Sequence, residues 1–316
     1  MKRRWLGAVL VALGAFLIVA AVVAQTWAPD NVKRTPIDVN STTHLGGSAD
    51  KLNPKTGKLE SYPIYVLDIN QNDSNRSDGS VAVFVRTTCV VIDNGQKQVC
   101  PSDKDPNLID VTIDTFATDR HTAMSINDPQ YLPKNFVPHT GLVNKFPFDA
   151  QKQTYPYWDN VLQAPVDAVY QRTAEVKGLQ TYVYRAVTKN AKVDVIAGTP
   201  DSKPVKGTYD DVRDVYVDPH TGSIVDQAES QQRYLTDGTK ILDLKAEFTS
   251  AEQQAKVDEA RSKWSQITMV LDTVPLVGYA VGIPVLLIGL ALLFLRRRGD
   301  QPAAPEPERT ETPVGV

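Results

Sequence analysis

The chain has 316 residues, of which 42% are hydrophobic and 22% charged, and a formal net charge of −3. With residues 2–4 and everything from 296 onward set aside, the middle holds 27 basic and 33 acidic groups, about −6, which argues against nucleic acid as a partner. Only two cysteines and four histidines occur, with no C-x-x-C spacing and no histidine cluster, and this argues against thiol redox chemistry and a metal centre.

Met1-Lys2-Arg3-Arg4 precedes an uncharged run from Trp5 to Ala24. About 20 residues at roughly 1.5 Å each cross a bilayer, so residues 5–27 are expected to form a transmembrane helix with residues 1–4 in the cytoplasm. A cleaved signal peptide is the alternative, with Val22-Val23-Ala24 as the small-residue site. The apolar run is long for such a segment, which favours a retained anchor. Either way residues 28–248 are exported.

Alternating segments separated by turn residues predict a mainly β, antiparallel exported domain, a sandwich or an open barrel. Expected strands are Tyr62–Ile69, Val81–Ile92, Leu108–Phe116, Val166–Val176, Thr181–Thr188, Val212–Val217, Ile224–Tyr234 and Thr239–Phe248. Asp68-x-Asn70-x-Asn72 resembles the start of a calcium loop, but Asp73 stands where glycine is needed and Gly79 where glutamate is. It reads as a solvated polar loop.

Cys89 and Cys100 flank Asn94-Gly95, a dipeptide suited to a two-residue type I′ hairpin turn. Counting out from that turn, with residues 96–99 as the second strand, sets the two cysteines opposite each other within disulfide reach. A Cys89–Cys100 disulfide implies an oxidising compartment.

Phe146 to Trp158 packs five aromatics and two prolines into thirteen residues. Pro147 and Pro156 exclude a central strand, so an extended loop is expected. Its aromatics either plug one end of the β core or form an apolar lip for a lipid chain or partner. On the second reading Phe146, Phe148, Tyr155, Tyr157 and Trp158 are the candidate ligand-binding residues. Further on, Lys177-Gly178 and Asp237-Gly238 mark tight turns, and Asp218-Pro219-His220-Thr221-Gly222 marks another.

The period then changes. Thr249-x-x-Glu252 is a capping box, and Val257, Ala260, Trp264, Ile267 and Leu271 form one apolar stripe. Residues 249–271 are expected to form an amphipathic helix, packed on the sheet or running on as a stalk, with a break near residues 272–275. Residues 273–295 are uncharged and followed by Arg296-Arg297-Arg298, so a second transmembrane helix is expected. The glycines at 278, 282 and 289 suit close helix packing. Basic residues beyond both spans place both termini in the cytoplasm. Residues 296–316, rich in Pro, Glu and Thr, are expected to be a disordered tail.

No G-x-S-x-G elbow or H-E-x-x-H spacing is present. No catalytic, cofactor-binding or metal-ligating residue can be named, and no enzyme activity is expected.

Three stretches carry a resemblance: Ser41-Thr42-Thr43-His44-Leu45, then Phe146-Pro147-Phe148 with Thr154-Tyr155-Pro156-Tyr157-Trp158, then Asp218-Pro219-x-Thr221-Gly222. With an apolar span at each end, they resemble an actinobacterial cell-envelope family, the porin PorA family, which includes PgfA-like proteins. The resemblance implies binding or trafficking of an envelope glycolipid such as trehalose monomycolate. It also implies membrane lipids and an MmpL-type lipid transporter as partners. A non-catalytic scaffold for envelope-synthesis proteins, or a porin-type channel component, are the alternatives.

Overall fold

The computed structural model describes residues 2–38, 40–197 and 202–295. The chain divides into two compact units. Residues 29–268 form the first, and residues 2–28 together with 269–295 form the second. The expected tail from residue 296 onward lies outside the described residues.

The larger unit is a single antiparallel sheet of eleven strands. In chain order they are β1 (Ser41–Asn53), β2 (Lys58–Asn72), β3 (Val81–Ile92), β4 (Leu108–Asp119), β5 (Ser125–Ile126), β6 (Tyr155–Asp159), β7 (Ala164–Val176), β8 (Leu179–Val195), β9 (Val205–Val217), β10 (Ile224–Leu235) and β11 (Lys240–Phe248). Neighbours in sequence are neighbours in the sheet except β5 and β6, which are its two outer strands, and one long-range junction pairs β1 with β11. The sheet curls into a half-barrel. Its two outer strands approach through a single short segment: the Ser125 amide donates to the Gly141 carbonyl at 2.9 Å, the Leu142 amide to Pro156 at 2.8 Å, and the Trp158 amide to Leu142 at 2.7 Å. Residues 141–142 thus occupy backbone groups that an open edge would leave free. Gly141 has φ +86° and lies so close to Pro156 that a Cβ would collide with its carbonyl.

Most expected strands are present, several of them longer than anticipated. Strand β1 was not expected. Its Gly46-Gly47-Ser48-Ala49 carries none of the β-branched or aromatic residues that mark strands. Glycine is needed at 47 because a Cβ there would strike the Lys245 carbonyl on β11. Strand β6 corrects the reading of the aromatic stretch as loop throughout: Tyr155–Asp159 pairs with β7 at the sheet edge, where Pro156 costs no ladder bond. Asp68-x-Asn70-x-Asn72 is the end of β2, not a loop.

Cys89 and Cys100 form a disulfide, but not across a hairpin. Residues 97–100 are not a strand. Strand β3 pairs instead with β2 and β4, so Cys89 faces Leu67 and Val111. The 93–107 connection folds back, fixed by a hydrogen bond from Tyr65 Oη to the Val99 carbonyl at 2.8 Å. The two-residue I′ turn occurs at Lys177-Gly178, where both φ angles are positive, 46° and 75°. At Asp237-Gly238 only Gly238 has positive φ, and residues 236–238 form a three-residue loop.

Helix α3 (Ser250–Thr268) packs on the sheet through Val257 and Ala260, against Val176 and Val225. Its cap is half a capping box. Thr249 Oγ1 accepts from the Glu252 amide at 3.2 Å, while the Glu252 carboxylate turns to the His44 amide at 3.2 Å. Trp264 stacks on His220, ring centroids 4.1 Å apart. A helical turn, α2 (Ala28–Val32), precedes the sheet.

The smaller unit pairs α1 (Lys2–Thr26) with α4 (Val274–Phe294). Both are long and apolar enough to cross a membrane. They pack antiparallel along a glycine seam. A Cβ at Gly14 would lie 2.6 Å from the Leu286 nitrogen, one at Gly289 2.7 Å from the Val11 nitrogen, and one at Gly278 2.7 Å from the Leu17 carbonyl. The expected break at 272–275 is a change of helix type instead: Met269–Thr273 is π-helical. Pro275 sits in the first turn of α4, where its missing N–H is not needed.

Candidate functional site

Period-two alternation puts one face of every strand inside the half-barrel. A soluble β domain ordinarily fills that face with apolar side chains. Here β2 contributes Asp68, Asn70 and Asn72, β3 contributes Arg86 and Thr88, β4 Asp110 and Thr112, β9 Arg213, and β10 Gln227, Glu229, Gln231 and Arg233. Leu45, Leu242, Leu244 and Ala246 of β1 and β11 form an apolar wall between them, since β1 and β11 lie between β2 and β10 in the sheet.

Three arginines inside the half-barrel are each matched to a carboxylate. Arg86 grips both oxygens of Asp68, with Nε 2.8 Å from Oδ1. Arg213 lies directly opposite Glu229 on the next strand, 2.9 Å away, and 3.3 Å from Asp211. Arg233 reaches Asp110 at 2.6 Å, although β10 and β4 are not adjacent, so this pair crosses the interior. Burial opposes the Arg213 charge, but Glu229 and Asp211 outweigh it and hold its pKa above the ordinary range. Burial, reinforced by Glu229, pushes the Asp211 carboxyl well above the usual carboxylate range.

Between these groups lie three cavities in series. The first, about 170 Å³, is lined by Asp68, Asn70, Asn72, Arg86, Asn144 and Tyr157 among others. The second, about 90 Å³, shares Asp68 and Arg86 with the first. The third, about 20 Å³, shares Asp110 and Arg233 with the second. Asn70 and Asn144, which line the first cavity, each have a buried Oδ1 with no hydrogen-bond partner among the described residues. Such atoms are rare in folded proteins and mark a place where a donor is expected.

The first cavity adjoins a further one of about 180 Å³ that shares Thr35, Pro36, Lys145, Ser223 and Lys263 with it and adds Val32, Phe148 and Ile267. The result is an interior part charged and part apolar, behind a mouth with cationic and apolar parts.

The five aromatics anticipated as a ligand lip are divided among three places. Phe146, Tyr155 and Tyr157 are buried together around Tyr184, with Phe146 stacked on Tyr184 at 4.5 Å. Trp158 is buried against His139, centroids 4.4 Å apart. Phe148 alone is half-buried, at the mouth, under the Lys145 ammonium 3.8 Å from its ring centre. Tyr157 also lines the first cavity. The half-barrel interior combines charged and amide side chains with an apolar wall. The charged part of the interior leaves a trace in the sequence: Arg86-Thr87-Thr88 interrupts the valine-rich run of β3, and Asp68, Asn70 and Asn72 alternate at strand spacing. Among the described residues, no three His, Cys, Asp or Glu side chains gather as a metal site.

A protein named Porin PorA from Corynebacterium amycolatum is 27% identical over 223 residues, 58% of this chain and 56% of that protein. The chain thus spans about half the length of that relative. The sequence profile of the family described as Porin PorA matches residues 6–291, nearly the whole chain. With two helices able to cross a membrane and this family match, the chain is a membrane protein that belongs to the porin PorA family.

Proposed function

We propose that this is a two-pass cell-envelope protein whose β domain, on the outer side of the cytoplasmic membrane, binds or hands on an envelope glycolipid by its polar headgroup. It does so without catalysing a reaction. The observation that carries this reading is the first cavity, where unpartnered amide oxygens of Asn70 and Asn144 sit beside Asp68, Asn72 and Arg86. Amides, carboxylates and guanidinium at short range are the groups that bind hydroxyl-rich molecules. Family kinship favours trehalose monomycolate as the glycolipid and an MmpL-type transporter as the partner that delivers or receives it. The aromatic set Phe146, Phe148, Tyr155, Tyr157 and Trp158 contributes through Tyr157 inside and Phe148 at the mouth. The disulfide supports placement in an oxidising compartment. The basic residues beyond each apolar stretch support cytoplasmic termini.

Native mass spectrometry of the full chain, released from detergent micelles after incubation with envelope lipid extract, tests the reading. A retained glycolipid, lost on Asn70→Leu and Asn144→Leu, is the expected result. A chain that retains no sugar-bearing lipid overturns it.

A second reading, a porin-type channel component, is favoured by one observation: the three interior cavities share lining residues end to end. It predicts single-channel conductance in planar bilayers that changes when Asp110→Asn and Arg233→Gln neutralise the narrow end.

A further inference from the structure

The part-buried cations of the half-barrel differ in what neutralises them. Arg86, Arg213 and Arg233 each meet a carboxylate. Lys145 meets none among the described residues. Its ammonium has the face of Phe148 at 3.8 Å and, at 3.5 Å, the hydroxyl of Thr35. Neither supplies a negative charge. Lys145 is part-buried, and an ammonium drawn out of water with no counter-charge beside it gives up its proton more easily unless an anion arrives. The position is therefore informative. Lys145 stands where the two adjoining cavities meet, together with Thr35, Ser223 and Lys263.

These four residues come from four separate parts of the chain: the segment before β1, the segment that closes the sheet, the β9–β10 turn and α3. We propose that they form an anion-binding site at the cavity mouth, one that takes the phosphate, or a like tetrahedral oxyanion, of a ligand between the Lys145 and Lys263 ammonium groups. The Thr35 and Ser223 hydroxyls act as further donors. Two ammonium groups and two hydroxyls on one wall suit a ligand with several charged acceptor oxygens, as a tetrahedral oxyanion has.

The surrounding charges support the assignment. From α3, Lys263 is bound to Glu259 at 2.6 Å, and Lys256 lies 3.9 Å from the same carboxylate. Glu259 is thus engaged by two cations and is not a free counter-ion for Lys145. From the N-terminal segment, Arg34 also lines the mouth but is tied to the carbonyls of Asp30 and Gly79. From the β9–β10 turn, Asp218 draws the Lys145 pKa up, but less than burial and Lys263 push it down, and it settles near 7. Lys145 is therefore poised to take up a proton when an anion arrives.

The oxyanion belongs either to a lipid headgroup or to a soluble phosphate, and the experiment separates them. The proposal rests on the reading of the cavity as a headgroup site. Full-length protein in micelles of a neutral detergent is titrated with inorganic phosphate and with sulfate by calorimetry. In parallel, the protein is reconstituted in nanodiscs of phosphatidylcholine with or without phosphatidylglycerol, and amine-reactive labelling of Lys145 is followed by peptide mass spectrometry.

The expected result is an anion that weakens about tenfold or more on Lys145→Met, weakens on Lys263→Met, and persists with Lys145→Arg. Lys263 lies on the partly exposed face of α3, so that variant keeps the test valid if Lys145→Met does not fold. Sulfate keeps its charge across neutral pH, so its affinity should fall about tenfold between pH 6 and 8 as Lys145 loses its proton. Soluble anions that slow Lys145 labelling support a free phosphate. Slowing by phosphatidylglycerol alone supports a lipid headgroup. If neither slows labelling and neither lysine variant changes anion binding, the proposal fails, even where glycolipid retention survives and the headgroup reading stands.

Discussion

Arg233 and Asp110 meet at 2.6 Å from strands that do not touch, with side chains only 13% and 21% exposed. Such a pair holds two walls of the half-barrel at a fixed separation. Removing one partner strands the other charge away from water, at a cost of about 3 kcal/mol. Arg233→Met should therefore lower the guanidinium midpoint of the full chain, followed by tryptophan fluorescence, much more than Arg233→Met combined with Asp110→Leu. Equal losses would mean that the pair is solvated and contributes little. Lys145 acts in the opposite direction. Its pKa falls from 10.5 unfolded to about 7 folded, chiefly through burial. Between those values the unfolded chain holds a proton that the folded chain has released, so stability rises with pH across that window and falls as pH drops towards 7. Lys145→Met should flatten this rise in thermal unfolding scans from pH 7 to 10. A slope unchanged by the substitution would show that another group carries it.

At the scale of elements, two connections decide how the chain holds together. The glycine seam between α1 and α4 brings Ala21 and Gly278 into contact. Across the same pair of helices Tyr279 Oη donates to Gln25 Oε1 at 3.0 Å, so Gln25→Cys with Tyr279→Cys should be joined within one chain by a short bis-maleimide, seen as a shift on reducing gels after proteolysis between the helices. Adding Gly14→Leu, whose side chain has no room against Leu286, should abolish the link. A mature protein that never cross-links would indicate removal of the first helix, the alternative left open by its sequence. The Cys89–Cys100 disulfide closes a short loop, and Cys89→Ser with Cys100→Ser should cost about 3 kcal/mol on the chain-entropy estimate for a loop of this size.

These elements were unevenly legible. Strand β3 matches its expected limits because valine-rich alternation and polar flanks agree. The disulfide was found by a register that does not exist: Asn94-Gly95 fits a tight turn locally, but pairing of β3 with β4 outweighs it. Strand β1 left little trace, since its central residues are small to admit β11. The polar interior was hard to read because alternation tells which residues share a face, not which face is enclosed.

At the scale of the molecule, closure and binding are one problem. The half-barrel is completed by backbone bonds at Gly141 and Leu142, and just beyond the buried Val143, Asn144 and Lys145 line the cavity and its mouth. The segment that seals the sheet thus also carries the unpartnered amide oxygen and the unpaired ammonium. Gly141→Val tests this coupling. A valine there meets the Pro156 carbonyl and a φ of +86° that a β-branched residue does not tolerate. The expected outcome is faster amide exchange at Ser125, Leu142 and Trp158, with exchange in α1 and α4 unchanged because they belong to the other compact unit. With the seam loosened, water reaches Lys145, its pKa returns towards 10.5, and its amine labels more slowly at pH 7 because less of it is neutral. Loosened edges with an unaltered Lys145 would separate the two roles and leave the closing segment as a strap only.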